Sequence, residues 1–448
     1  MFPTGQDRAD QTEGTNPRMW DDRKSVRSWI MYDWANSAFA TTVMAAVMPI
    51  YYQKAIGGTD AGWAFTQTAS AVIIALLAPL LGAMADHSGN KKAFLRVFTF
   101  IGAAASLCLA IPGKGDVLFA SLLVILGMIG FGAGGTFYDA LLNDVASPAN
   151  RERVSARGFA MGYLGGGVLL AVNLLLIMSP GTFGLPEGSA GSQISFAMVG
   201  VWWILFSIPL FRNVKEASVR PDGTLGSQVR AGILRLGETF RQIRHYPELW
   251  KFMIAYWFFF DGVNTVIVMA TSYGTTIGIK DSDLIAALLI TQFVGFPATV
   301  LFGNMASRLG SKNMLYGSMA LYVAIVILGF FMKNALHFYL LAGLVGLVQG
   351  GSQATARAAY SRLIPPARTA EFNGFLTFTS RFFSFGGPLV FGLVKVFTDS
   401  SRYAILAVAF FFVAAMVLLT FVNIAKGERE AERAFDGWST DSGRTASI

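Results

Sequence analysis

The chain has 448 residues, 54% of them hydrophobic and 14% charged, with a mean hydropathy of +0.51 and a formal net charge of +8. A soluble domain carries about 25% charged residues, so this balance excludes a single water-soluble core and points to repeated membrane spans. The positive charge is spread over several loops, which argues against nucleic-acid binding and makes it a signal of topology.

In chain order, residues 1–27 are polar and mixed in charge, with no apolar stretch of signal-peptide type. They are expected to form a cytoplasmic tail with no cleavable leader. Apolar runs then recur at 28–53, 61–85, 93–111, 117–142, 154–178 and 193–211. After a polar stretch at 212–251 they resume at 252–278, 283–306, 314–332, 336–362, 371–397 and 402–424, followed by a charged tail at 425–448. Read as spans, these give twelve transmembrane helices in two six-helix bundles, 28–211 and 252–424. With both termini cytoplasmic, the outer loops hold only Lys54, Lys114, Lys280, Lys333, Lys395 and Arg402 of the 35 basic residues. That bias sets the orientation.

The first span carries Tyr32-Asp33-Trp34-Ala35-Asn36-Ser37, and the seventh carries Phe260-Asp261-Gly262-Val263-Asn264-Thr265. The shared core is aromatic-Asp-x-x-Asn-[Ser/Thr], offset by 228 residues (261 − 33). Asp and Asn three apart share a helix face, and ionisable groups inside a membrane are costly enough to be functional candidates. Both aspartates lie nearer the cytoplasmic end of their spans than the middle, so gating and helix packing stand beside substrate or proton handling. Arg381 falls near the middle of the eleventh span, where it needs an anion, either a protein carboxylate or a substrate carboxylate. Its planar fork of donors suits a carboxylate. Asp33, Asp261, Asn36 and Asn264 offer acceptors to an ammonium group, with Tyr32, Trp34, Phe260 and Tyr256 as an apolar wall. Gln292, Gln349, Gln353 and Asn173 are further cavity-lining candidates, with hydrogen bonding between helices as the alternative.

Two loops also repeat. Gly82-Ala-Met-Ala-Asp86-His87-Ser-Gly89-Asn-Lys91-Lys92 recurs as Gly303-Asn-Met-Ala-Ser307-Arg308-Leu-Gly310-Ser-Lys312-Asn313, 221 residues later (303 − 82). The glycines permit tight turns, and the lysines mark the cytoplasmic side. The glycine runs at 130–135 and 158–167 read as close-packing or hinge features. Asp139, Asn143 and Asp144 read as partners of neighbouring loops. Within 212–251, Val229, Ile233, Leu236, Phe240 and Ile243 lie on one helical face, which predicts an amphipathic helix on the membrane surface. Cys108 is the single cysteine, so neither an intrachain disulfide nor a cysteine metal site is available.

The first loop, with Gly82, Asp86, Gly89, Lys91 and Lys92, resembles the signature loop of the major facilitator superfamily. His87 stands where that loop usually has Arg, and the second copy has Ser307 in place of Asp. The resemblance implies a gating role for Gly82, Asp86, Gly89, Lys91, Lys92, Gly303, Gly310 and Lys312. The segment Trp29-Ile-Met-Tyr32-Asp33-Trp34-Ala35-Asn36-Ser37-Ala-Phe39, with its Asp261 partner, is similar to the unknown-major-facilitator family, which includes vacuolar amino-acid effluxers linked to autophagy. That likeness covers roughly residues 25–425. It implies an all-α integral membrane protein with the major-facilitator fold, acting as a monomer. The implied function is export of a small polar or zwitterionic solute, such as an amino acid, by alternating access. Protons are the candidate coupling ion and the cell (inner) membrane the expected location. Efflux of drugs or apolar compounds and a non-transporting receptor or scaffold are the alternatives. No nucleotide-binding loop, catalytic constellation or metal-ligand cluster is visible, so neither an enzyme nor a cofactor is expected.

Overall fold

A computed structural model describes residues 20–216, 246–276, 278–279, 281–383 and 386–432. The chain of α-helices follows the apolar runs closely. In the first half these are α1 (Arg23–Ala38), α2 (Asp60–Ser88), α3 (Lys91–Cys108), α4 (Val117–Val145), α5 (Arg151–Met178) and α6 (Ala190–Asn213). In the second half they are α7 (Pro247–Thr276), α8 (Asp281–Leu309), α9 (Ser311–Phe330), α10 (Ala335–Leu363), α11 (Thr369–Phe383), α12 (Gly386–Thr398), α13 (Ser401–Ala407) and α14 (Ala409–Thr420). The amphipathic helix expected around 229–243 lies outside the described residues.

Eight helical stretches among the described residues are long and apolar enough to cross a membrane. Two of the other four expected spans, the first and the third, depart from that pattern for local reasons. The first continues from α1 through a π-helical segment, Phe39–Ala46, a short turn Val47–Tyr51, and a second π segment, Tyr52–Ile56. Pro49 lies in that turn. It lacks an N–H and its ring crowds the carbonyl four residues back, so the wider π turns give the chain room there. The third begins with Lys91, Lys92 and, a turn later, Arg96. The eleventh is described as helix on either side of residues 384–385, as α11 and α12.

Each half has its own apolar core. One core of the first half gathers Phe39, Tyr51, Phe196 and Trp203, and a second gathers Trp29, Tyr32, Phe137 and Tyr138. The second half packs around Phe252, Phe259, Tyr322, Tyr360 and Phe412. Small residues let helices approach closely within each half: Gly102 of α3 faces Gly130 of α4, and Gly158, Gly162 and Gly166 of α5 form a stripe against α1. That stripe repeats every four residues, which is one face of a helix.

The halves meet at the end of the molecule that carries the two basic loops, hereafter the basic end. There Gly82 of α2 lies on the backbone of Ala370 and Glu371 at the start of α11, and Gly303 of α8 lies on Glu152 and Ala156 at the start of α5. The two repeated loops thus make the same kind of contact, each with the other half. Gly374 of α11 extends the first seam onto Ala78 and Pro79.

Candidate functional site

The most concentrated polar chemistry between the halves centres on Arg357. This residue is on α10, flanked by Ala354, Ala356, Ala358 and Ala359, small residues that let α10 press against the first half. Its Nη1 donates to Asp139 Oδ1 of α4 at 3.0 Å. Its Nη2 sits 3.6 Å from Asp33 Oδ2 of α1 and donates to the Ser155 carbonyl of α5 at 2.9 Å. Nε donates to the Ser155 hydroxyl at 2.8 Å. The guanidinium also lies over the rings of Phe159, Trp29 and Tyr138, at 4.2, 5.0 and 5.5 Å from their centroids. One side chain of the second half is therefore held by three helices of the first.

Asp33 is positioned from its own half. The Tyr138 hydroxyl donates to Asp33 Oδ2 at 2.8 Å. Tyr138 is itself fixed by Trp29, which stacks on it at 4.3 Å and donates Nε1–H to its carbonyl. Gly158 leaves the space the Asp33 carboxylate occupies, since a Cβ there would come within 2.5 Å of Oδ2. The side chains of Arg357 and Asp33 are 10% and 11% exposed, and that of Asp139 is 36% exposed. Breaking a buried pair by removing one partner costs about 3–5 kcal/mol, so this cluster is a clasp between the halves. One cation thus faces two carboxylates.

The clasp also respects the internal repeat. α4 and α10 are both 29 residues long, and Asp139 and Arg357 each lie six residues before the last one (145 − 139; 363 − 357). The two halves thus place opposite charges at the same position of corresponding helices, where they meet across the seam.

Further ion pairs close the basic end. Asp86 Oδ2 accepts the Glu371 backbone N–H at 2.7 Å, and Lys91 bridges Asp144 at 3.0 Å and Asp86 at 3.9 Å. Glu152 takes Arg362 at 2.8 Å and the Ser311 hydroxyl at 2.8 Å, and Arg151 donates to the Ser361 carbonyl. Gly89 ends α2 in the left-handed turn, with φ of +64°, and Gly310, with φ of +84° and an extended ψ of 144°, separates α8 from α9. Lys92 caps the Val214 carbonyl after α6, and Lys312 caps Thr420 and Val422 after α14. By that contact Lys312 corresponds to Lys92, although the loop pattern aligns it with Lys91.

The remaining predicted residues are dispersed. Asp261 is buried and accepts the Gly387 N–H of α12 at 2.7 Å, while its Oδ1 has no partner among the described residues. Asp261 is therefore bonded within its own half, unlike Asp33. Tyr32 is fully buried, with its hydroxyl 2.9 Å from that of Thr99 on α3. Trp34 stacks on Trp202 of α6 at 5.2 Å. Both sets of contacts lie within the first half. Asn36 is buried with its Oδ1 unpaired among the described residues, and Asn264 is half-buried. Tyr256 stacks against Phe260 at 5.7 Å. Gln292 lies against Gly167 at the α5–α8 seam, and Gln349 and Gln353 are half-buried on α10. Asn173 donates to Thr42 on the first π segment. Arg381 is on α11, and its side chain lies outside the described residues.

Arg357, Tyr138, Ser155, Glu152 and Arg362 are the functional positions that span-by-span reading passes over. Asp144, read as a loop partner, pairs with Lys91 of the first repeated loop, whereas Asp139 binds Arg357 on α10.

Known proteins agree with this architecture. Among solved structures, the chain resembles the human organic anion transporter MFSD10, with a TM-score of 0.66 at 15% identity over 90% of this chain and 100% of that one. It also resembles the proton:xylose symporter XylE, with a TM-score of 0.63 at 15% identity over 92% and 98%. At such identities the likeness is one of fold. By sequence it is 36% identical over 410 residues to the uncharacterised MFS-type transporter YxiO of Bacillus subtilis, covering 89% of this chain and 95% of the relative. It is 27% identical over 307 residues to Autophagy-related protein 22 of Cryptococcus neoformans, covering 62% of this chain and 52% of that protein. The family described as vacuole effluxer Atg22 like matches residues 58–432. The chain belongs to that family and is a multi-pass membrane transporter of the major facilitator type.

Proposed function

We propose that this chain is a secondary active exporter of small polar or zwitterionic solutes, with amino acids as the substrate class, working by alternating access and driven by protons. The observation that carries the reading is the single guanidinium of Arg357 set between the carboxylates of Asp33 and Asp139 at the seam of the halves. With the basic loops cytoplasmic and twelve spans, the closed basic end corresponds to an outward-facing state. Opening it requires Arg357 to leave both carboxylates, and an uncompensated buried carboxylate is costly. Two things offset that cost: a proton on Asp33, or an ammonium group that takes the place of the guanidinium. A zwitterion supplies both an ammonium for the Asp33 side and a carboxylate for an arginine fork, Arg357 or Arg381. Asp261, Asn36, Asn264, Tyr256, Gln292, Gln349 and Gln353 are the proposed further contacts along the central path. The 36% identity to a bacterial relative over most of its length supports the cell membrane as the location, and the fold supports a working monomer.

The test is counterflow of radiolabelled neutral amino acids in liposomes containing the purified protein. Uptake above protein-free liposomes, lost in Arg357→Gln, is the expected result. Movement of lipophilic cations with no amino-acid flux would replace this reading with drug efflux.

A further inference from the structure

At the basic end, away from the clasp, α1 and α5 enclose a groove of about 350 Å³ lined by Arg23, Arg27, Arg153 and Arg157. The arginines form two stripes at a spacing of four, Arg23 and Arg27 on α1 and Arg153 and Arg157 on α5. Like charges at that spacing repel, and two such stripes facing one groove repel further. Asp21 is the one carboxylate in the lining. It accepts the Ser147 N–H at 3.2 Å and the Asn150 side chain at 2.9 Å. Its partial burial pushes the carboxyl up, but those bonds outweigh it and leave the group below its ordinary value and ionised. The groove therefore carries a surplus of three positive charges. Among the described residues none of the four arginines forms a salt bridge, and Arg153 makes one hydrogen bond, to the Ser307 hydroxyl of α8 at 3.2 Å. Elsewhere at this end Lys91, Arg357, Arg362 and Arg368 all have carboxylate partners.

The groove also has an apolar side. Ile30 of α1 is half-exposed in the lining, Val26 and Val154 lie buried at its floor, and Asn150 completes it. Arg157 is six residues into α5 (157 − 151), about 9 Å along the helix at 1.5 Å per residue. The lining thus runs from the loop level, where headgroups lie, to the start of the hydrocarbon layer. We propose that this groove binds the phosphodiester headgroup of an anionic membrane phospholipid, with the arginines on the phosphate and Ile30 against the upper acyl chain. Basic pockets between spans are suited to such headgroups, and Arg forks suit phosphate oxygens in particular. A free anion would use the arginines but not the apolar side. Because Arg153 also touches α8 of the other half, a lipid here sits beside the seam that must part during the cycle.

The experiment is native mass spectrometry of the full-length detergent-solubilised protein titrated with phosphatidylglycerol, phosphatidylcholine or inorganic phosphate. Wild type should retain phosphatidylglycerol over phosphatidylcholine, and inorganic phosphate at the same concentration should not displace it. Arg27→Gln with Arg157→Gln should lower that retention roughly tenfold, while Arg27→Lys with Arg157→Lys keeps most of it. Thermal unfolding of each variant reports whether it is folded. Equal retention of the two lipids by wild type would overturn the proposal, whatever the variants do. So would undiminished retention in a folded Gln variant, or displacement by inorganic phosphate, which would make the groove a free-anion site.

Discussion

At the scale of single residues, the clasp rests on geometry that a charge-preserving or a shape-preserving change disturbs differently. Arg357 places three nitrogens on α4 and α5 at 2.8–3.0 Å, with Asp33 of α1 at 3.6 Å, which lysine cannot do with one ammonium. Arg357→Gln and Asp139→Asn should each destabilise the folded protein. Combined, they should cost less than the two losses added together, with a coupling on the order of 1–3 kcal/mol. Denaturation of the four proteins in the same detergent measures it, and additive losses would show that the two groups act independently. Asp33 stood out in the sequence because an acid six or more residues into an apolar run has no routine structural use. Arg357 did not, because a basic residue near the cytoplasmic end of a span is what the positive-inside bias leads one to expect. The signal that reveals it is the repeat itself: comparing α4 with α10 puts Asp139 and Arg357 at the same position with opposite sign. Asp261 shows the converse limit. The repeat marks it as the counterpart of Asp33, yet the one hydrogen bond of its carboxylate among the described residues is to a backbone N–H within its own half, and nothing in the spacing distinguishes those two fates.

At the scale of elements, the seams at the basic end are glycine contacts. Gly82 and Gly303 each let their helix touch the first turns of α11 and α5 in the other half. A Cβ at Gly82 would meet the Ala370 carbonyl and come within 3.0 Å of Glu371 Cα. Because those are backbone atoms, the helix must move. Gly82→Leu should therefore wedge the basic end open without touching a charge. Spin labels at Ala149 and Asn313, exposed positions in opposite halves, with Cys108 replaced by serine, would read this as a longer distance in the variant. An unchanged distance distribution would place the seam's closure elsewhere. Helix positions were largely legible, as with the run at 117–142 and α4 at Val117–Val145. The π segments of the first span were not. A wider turn leaves the apolar character of the run unchanged, and Pro49 is the only local hint of it.

At the scale of the whole molecule, the two halves are joined by contacts in which each repeated loop reaches the other half, with the clasp between corresponding positions of α4 and α10. That arrangement suits two bodies that rock about a shared seam. In such a machine the charge imbalance of the clasp decides what drives the motion. With the basic end closed, Arg357 serves both Asp33 and Asp139. With it open, the carboxylates need a substitute, and burial without a cation favours the protonated form. On the proposed function, proton binding at Asp33 is tied to which side of the molecule is open. The most direct measurement is amino-acid flux in liposomes with and without an imposed pH gradient, in wild type and in Asp33→Asn. The account predicts that the gradient accelerates flux in wild type, and that Asp33→Asn, folded and still able to exchange substrate, does not respond to it. Wild-type flux indifferent to the gradient, or an Asp33→Asn protein that responds as strongly as wild type, would contradict it.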